Sequence, residues 1–232
     1  MSFVHGSTLS IEELLAEVEI AARIGGSILR ERWARPHQVE FKGQINLVID
    51  ADRASETAIV EHLRVRFPFD DIIAEEGAPQ VHQGPRRWYI DPLDGTTNYA
   101  HGVPHFCVSI GVEDETGLAA GVVHQPLTGE LFKAGRGFGA WLGAERLAVS
   151  DRAPLSQALV GTGFPYDIWE KPERPLKLFA DLLTHARGVR RAGAAALDLA
   201  YVAAGRFDAF LELGLKPWDV AAGIVLVREA GG

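Results

Sequence analysis

The apolar positions of this chain change their spacing twice, and each change predicts a different kind of element. Leu14, Leu15, Val18, Ala21 and Ala22 recur every three or four residues, which sets them on one stripe of a helix. Ser10-Ile-Glu-Glu13 stands just ahead of them and is a capping-box pattern. An amphipathic helix is therefore predicted over residues 10–33. Val39 to Phe41 reads as a short strand. A second helix is predicted over 46–67, ending at Phe67-Pro68, where proline disfavours continuation.

The pattern then shortens. DIIAEE and RRWYID are brief apolar runs closed by charged residues, as buried strands are. FCVSIGV, AAGVVHQ, ELFKAG and GAWLG follow with turn residues between them, which predicts an antiparallel meander. Beyond it come a strand at Val160 to Gly163, a helix over 171–185, a strand over 188–191 and a helix over 194–204. RFDAFLEL reads as a strand, and Pro217 stands where a last helix would begin, the position proline tolerates best. Helices, then strands, then alternation favour a layered α/β fold with two sheets. If the chain forms two lobes, they divide near 148–158: an N-terminal lobe over 1–150 and a C-terminal α/β lobe over 151–232.

Composition narrows the function without choosing one. The net charge is −8 with one cysteine, Cys107. An acidic chain lacks the basic stripe of a general nucleic-acid surface, so direct nucleic-acid binding is not expected. No apolar run reaches the length of a membrane span, and no disulfide framework is possible within the chain. A cytoplasmic location is the expectation.

The chemistry concentrates in IDPLDGTTN, residues 90–98. D-P-x-D-G is also an ordinary turn sequence. Yet Asp91 follows the apolar WYI, and two carboxylates this close repel unless one is protonated or a cation bridges them. Gly95 to Asn98 could present amides and hydroxyls together, as phosphate-binding segments do. Acids beside an anion cradle suit a hard divalent metal such as Mg²⁺. Glu75 and Glu76 end the apolar run IIAEEG in the same manner, and Asp219 lies in the first turn of the last predicted helix, where an acid also serves the helix dipole without any function.

IDPLDGTTNYAHGVPHFCVSIGV together with PWDVAAGIVLVREAGG resembles the inositol monophosphatase family of Mg²⁺-dependent, lithium-sensitive phosphatases. NLVIDAD, IIAEEG, GTGFPYD and RRAGAAALDLAYVAAGRFDAFLE follow in that family's order, so the resemblance spans essentially the whole chain. It implies the inositol monophosphatase (sugar phosphatase) fold of alternating αβαβα layers. It implies two to three Mg²⁺ ions held by Glu75, Asp91, Asp94, Asp219 and the Leu93 carbonyl, with inhibition by Li⁺. Thr96 paired with Asp52 would orient the attacking water, Glu75 would count among the catalytic residues as well as the metal ligands, and Gly95, Thr96 and Thr97 would hold the phosphate. Gly193, Ala194, Ala195 and Glu212 would face the alcohol. The implied activity is that of an inositol-1-monophosphatase-like phosphoric monoester hydrolase, acting as a cytoplasmic homodimer on a small-molecule phosphate monoester.

The match departs from the family at three points. Ile49 stands at a usual threonine, Asn46 at a frequent aspartate, and Ala194 at a common serine or threonine of the substrate pocket. The family also continues for a last strand and helix beyond EAGG. Histidinol phosphate, fructose 1,6-bisphosphate and 3′-phosphoadenosine 5′-phosphate are alternative substrates within this class. A role as an interaction partner of the transcription machinery, as in some bacterial proteins resembling this one, is the alternative from another class. The eight histidines show no zinc spacing, so His101 and His105 read as surface or packing residues. Cys107 reads as a buried inert thiol, GRGFGAWLG as glycine turns between strands, and Lys42 as a lysine either near the site mouth or simply solvated.

Overall fold

The computed structural model describes residues 9–33, 39–41, 47–77, 79–152 and 154–232. Helix α1 (Ile11–Arg32) begins at the capping box, with the Glu13 amide donating to Ser10 Oγ at 3.2 Å and the Ser10 amide to Glu13 Oε2 at 2.9 Å. Strands β1 (Val39–Phe41) and β2 (Leu47–Ile49) pair antiparallel. Helix α2 (Asp50–Arg66) starts only then, four residues inside the predicted span. The β-branched Val48 and Ile49 fit a pleated ribbon better than a helical turn.

Seven strands form the main sheet: β3 (Asp71–Ala74), β4 (Arg87–Asp94), β5 (Cys107–Asp114), β6 (Gly117–Gln125), β7 (Glu130–Gly135), β8 (Gly139–Leu142) and β9 (Glu145–Arg146). The five-residue helix α3 (Thr96–Ala100) lies between β4 and β5. Strands β3 and β4 run parallel, and every later neighbour pairs antiparallel, giving the expected meander. The glycine-rich GRGFGAWLG holds the tight turn between β7 and β8, with Gly137 at φ 76°. A smaller sheet joins β10 (Leu159–Thr162), β11 (Gly188–Arg190) and β12 (Ala209–Leu211) in parallel, β10 at its centre. Helices α4 (Glu173–His185), α5 (Ala195–Ala203) and α6 (Pro217–Glu229) complete the chain.

One face of the main sheet packs on α1 and α2. Val108, Ile110 and Val122 meet Leu14, Val18, Ala22, Ile59 and Leu63 there. On the opposite face, Cys107, Val123 and Phe132 meet Leu197 and Ala200 of α5 and Ala222 and Leu226 of α6. Helix α5 also touches the small sheet, and α4 lies against β11. The order is helix pair, sheet, helix pair, sheet, helix: the αβαβα layering implied by the resemblance. Among the described residues no helix is long and apolar enough to cross a membrane.

Two glycines decide how closely α6 approaches the sheet. Gly111 and Gly121 face each other across β5 and β6. A Cβ on Gly111 would lie 2.6 Å from the Ala221 Cβ, and one on Gly121 2.7 Å from the Ala222 Cα. Missing side chains therefore let helix backbone rest almost on strand backbone. This seating brings the first turn of α6, with Asp219, beside the end of β4.

Candidate active site

Because β3 and β4 are parallel, their carboxyl-terminal ends open at the same sheet edge. The Glu75 amide donates to the Ile90 carbonyl at 3.1 Å, so Glu75 and Asp91 stand side by side where the strands finish. Strand β4 then bulges. Asp91 opposes Ser109 and Asp94 opposes Cys107, leaving two residues on β4 against one on β5. Pro92 has no amide to give the ladder, which favours the irregularity. The bulge re-aims the chain: Asp91 Oδ1 accepts the Leu93 amide at 3.0 Å, and Ser55 Oγ donates to the Pro92 carbonyl at 3.0 Å.

One face of α2 stitches this corner together. Asp52, Ser55 and Glu56 occur at helical spacing and are all buried. Asp52 Oδ2 accepts the Ile49 amide at 2.6 Å, while Asp52 Oδ1 stands 3.1 Å from the Thr96 hydroxyl. That hydroxyl is also 3.1 Å from the Leu93 carbonyl, so its single proton has two acceptors. Glu56 Oε2 accepts the Glu76 amide at 2.8 Å and fixes the loop after β3. Gly95, at φ 97°, turns the chain from the bulge into α3, a left-handed conformation that glycine adopts without a Cβ penalty.

Asp94 is held from the other side. Its oxygens accept the amides of Ala195 and Ala196 at 3.1 and 2.7 Å, the first turn of α5. The α5 N-cap is Ala194, which has no side-chain acceptor. Asp94 supplies that acceptor from β4, and its charge suits the helix end. Cys107 Sγ lies 3.5 Å from Asp94 Oδ2, and the Asn98 amide nitrogen donates to the carbonyls of His105 and Ala192 at 2.7 and 2.9 Å. Ala194 is itself buried in the apolar cluster. Gly193 takes φ 92° beside Asn98, and Glu212 packs against the backbone of Gly163. Asp219 Oδ2 accepts the Lys216 amide at 2.6 Å, and the preceding Trp218 carbonyl stands 3.3 Å from the Ser109 hydroxyl, opposite Asp91. Thr97 is exposed on α3, and Lys42 and Asn46 lie outside the described residues.

The acids share one electrostatic field. Burial, then the charges of Glu75, Asp94 and Asp219, pushes the Asp91 carboxyl well above the usual carboxylate range. Burial and the Asp219 charge push Asp94 up to about 7. Glu212 is pushed up to about 8, by burial first and Asp94 next, and burial raises Asp219. Asp94 and Asp219 keep some accessible surface, so the cluster is not sealed from solvent. The Cys107 thiol is pushed well up by burial and by Asp94, which makes it the inert thiol expected.

The donor set is entirely hard oxygen, the chemistry Mg²⁺ accepts. Among the described residues no three carboxylate, imidazole or thiolate groups close around a single ion. Mg²⁺ keeps several waters and takes one or two carboxylates with substrate phosphate, so this spread of acids fits it better than an ion that needs an all-protein cage.

Ser55 and Glu56 did not emerge from the sequence reading. The signal was present: Asp52, Ser55 and Glu56 are polar at i, i+3 and i+4, the spacing of a buried helix face. Asn98, read with Gly95 to Thr97 as part of an anion cradle, instead turns its side-chain amide to the carbonyls of His105 and Ala192.

The inositol monophosphatase family profile matches residues 10–232. The Nus factor SuhB of Pseudomonas aeruginosa is 47% identical over 219 residues, covering 91% of this chain and 81% of that protein. The inositol-1-monophosphatase of Rhizobium meliloti is 45% identical over 196 residues, covering 84% and 74%. The solved inositol monophosphatase of Anabaena (Nostoc) sp. PCC 7120 superposes with a TM-score of 0.86 at 41% identity, over 95% of this chain and 82% of that one.

Proposed function

The chain belongs to the inositol monophosphatase family and is a phosphatase; on that premise we propose that it hydrolyses a small polyol or sugar monophosphate, inositol monophosphate first among them, with Mg²⁺. The observation that carries the metal is the set of mutually repelling carboxylates at the ends of β3, β4 and α6, which raise one another's proton affinity. Clustered like charges of this kind cost stability unless a cation neutralises them.

In this reading Glu75, Asp91, Asp94, Asp219 and the Leu93 carbonyl hold two to three Mg²⁺ ions, and Li⁺ inhibits. When bound, Mg²⁺ polarises the phosphoryl oxygens, eases deprotonation of water and stabilises the departing alkoxide. The chain's own residues do the rest. Thr96 Oγ1 accepts a hydrogen from the attacking water while its own proton rests on Asp52 Oδ1, 3.1 Å away. The Ile49 amide on Asp52 Oδ2 holds that carboxylate in register. Gly95, Thr96 and Thr97 hold the phosphate, and Gly193, Ala194, Ala195 and Glu212 lie toward the alcohol. We further take the protein to act as a cytoplasmic homodimer, without membrane or direct nucleic-acid contact, in keeping with its acidic charge and single buried cysteine.

Phosphate release from myo-inositol 1-phosphate should require Mg²⁺, saturate with it and fall when Li⁺ is added. No release from that ester or from a panel of sugar, histidinol and nucleotide monophosphates would contradict the reading.

A second reading rests on relatives bearing the name Nus factor, such as that of Pseudomonas aeruginosa. The chain would then also bind the transcription machinery. Capture of a transcription factor by both the wild type and Asp94→Asn would support this role, and capture by neither would count against it.

A further inference from the structure

His105 and Asp198 meet beside the turn that holds Asp94, and the site as described gives neither of them a role. His105 lies between α3 and β5, and Asp198 in the first turn of α5. His105 Nε2 stands 3.7 Å from Asp198 Oδ1, and the carboxylate side chain is only 1% exposed. Both atoms are buried, and among the described residues neither has a hydrogen-bond partner. Such a pair does little for the fold by itself. A gap of that length forgoes a good hydrogen bond and leaves two desolvated groups poorly compensated. Apolar residues of similar size often serve a core as well or better.

The neighbours of the pair are more telling. The Asp198 amide donates to the Ala194 carbonyl at 2.9 Å, closing the turn from which Ala195 and Ala196 donate to the Asp94 carboxylate. His105 reaches this segment at two points. Its ring faces Asp198 and lies edge-on to Tyr201 of the same helix, ring centroids 6.0 Å apart. Its carbonyl accepts the Asn98 amide nitrogen at 2.7 Å, and Asn98 also donates to Ala192 just ahead of α5. A Cβ on Gly95 would stand 3.0 Å from that same carbonyl, so His105 also rests against the left-handed turn after Asp94. From the far side, a Cβ on Gly161 of β10 would lie 3.3 Å from Asp198 Oδ2. Burial raises the Asp198 carboxyl above its ordinary range, and His105 and then Arg191 oppose the rise.

Resting on the phosphatase reading above, we propose that His105 and Asp198 are a positioning pair that seats the first turn of α5 against the end of β4 and so aims the Asp94 carboxylate at its metal. An imidazole with its proton on Nε2 attracts a carboxylate whether the ring is neutral or charged, so the link does not depend on a titration. Groups behind a metal ligand fix its orientation, and their loss costs roughly 10–100-fold in metal affinity or activity. In this role neither residue touches metal, phosphate or attacking water. An acid in the first turn of a helix also favours the helix dipole without any partner. The two roles part at two substitutions. Asp198→Asn removes the charge but keeps an acceptor for His105, whereas His105→Phe keeps the ring and the Asp198 charge but removes the link.

The test applies amide hydrogen exchange and Mg²⁺ calorimetry to the wild type, Asp198→Ala, Asp198→Asn and His105→Phe. In D198A and H105F the amides of Ala195 and Ala196 should exchange at least about tenfold faster, while those of β5 and β6 exchange as in the wild type. Mg²⁺ should bind both variants roughly tenfold more weakly. D198N should stay within about threefold of the wild type on both measures. Unchanged exchange at Ala195 and Ala196, or faster exchange throughout the chain in H105F, would overturn the proposal. So would a D198N as impaired as D198A, or loosened amides with undiminished Mg²⁺ affinity. If D198A fails to fold, H105F and D198N carry the comparison. If the wild type neither binds Mg²⁺ nor releases phosphate from any ester, the phosphatase reading fails on its own. Exchange at Ala195 and Ala196 would still decide whether the pair seats the turn: faster exchange in H105F supports it, and equal exchange overturns it.

Discussion

Asp94→Asn is expected to lower kcat/KM by roughly a thousandfold or more while leaving the metal-free fold nearly as stable as before. The carboxylate is pushed up to about 7 because it sits deep in the site near Asp219, so its charge is costly without a counterion. An amide removes that charge. It also loses an acceptor, because only one of the Ala195 and Ala196 amides now on Asp94 could still be accepted. An unpaired buried donor costs about 1–3 kcal/mol, and relief of the repulsion among the acids offsets it. The two effects separate in the laboratory. Thermal melting without metal should show at most a small shift, whereas calorimetry with Mg²⁺ should show strongly weakened binding. A large loss of metal-free stability with undiminished Mg²⁺ affinity would mean that Asp94 serves only as the cap of α5.

Thr96→Ala is expected to lower kcat by about 10²–10³-fold with KM and Mg²⁺ affinity within about threefold, the pattern of a group that acts only in the transition state. Asp52→Asn should give a loss of similar size, because the two side chains are bonded at 3.1 Å and act as a unit. Their double variant should be little worse than either single one, since groups that work together lose their effect together. Thr96→Ser keeps the hydroxyl and should recover most of the rate. The Leu93 carbonyl, also 3.1 Å from the threonine hydroxyl, loses a possible donor in Thr96→Ala. Steady-state kinetics with melting curves therefore distinguish the roles: a fall in stability matching the fall in rate would assign Thr96 to the bulge alone.

Much of this site is legible in the sequence because its acids end apolar runs. Asp91 after WYI and Glu75 after IIA announce parallel strands opening at one edge, and Pro217 announces the helix that delivers Asp219. Spacing along the chain carries less about partners brought in from far away. The bond from Asp94 to the amides of Ala195 and Ala196 spans about a hundred residues and uses backbone groups that every residue possesses. The close seating of α6 depends on Gly111 and Gly121 facing Ala221 and Ala222, a complementarity visible only once the strands are paired. The start of α2 is displaced for a local reason: Leu47–Ile49 pairs with Val39–Phe41, and an amphipathic pattern does not reveal where a ribbon partner lies.

The central claim, that these acids are gathered for a divalent cation, is tested most directly by thermal melting across pH with and without Mg²⁺. Asp94 and Glu212, raised to about 7 and about 8, hold protons in the metal-free fold that the unfolded chain has already released. Their contribution to stability is therefore full below about pH 4 and is lost as pH rises through those values. Asp114, depressed to about 2 by Arg136, works in the opposite sense. Its stabilisation disappears only as pH falls through about 2, outside the range used. From about pH 5.5 to 8.5 the metal-free Tm should fall, and Mg²⁺ should restore it by a margin that grows with pH to roughly 5 °C or more. Superimposable curves with and without Mg²⁺ at every pH would contradict it.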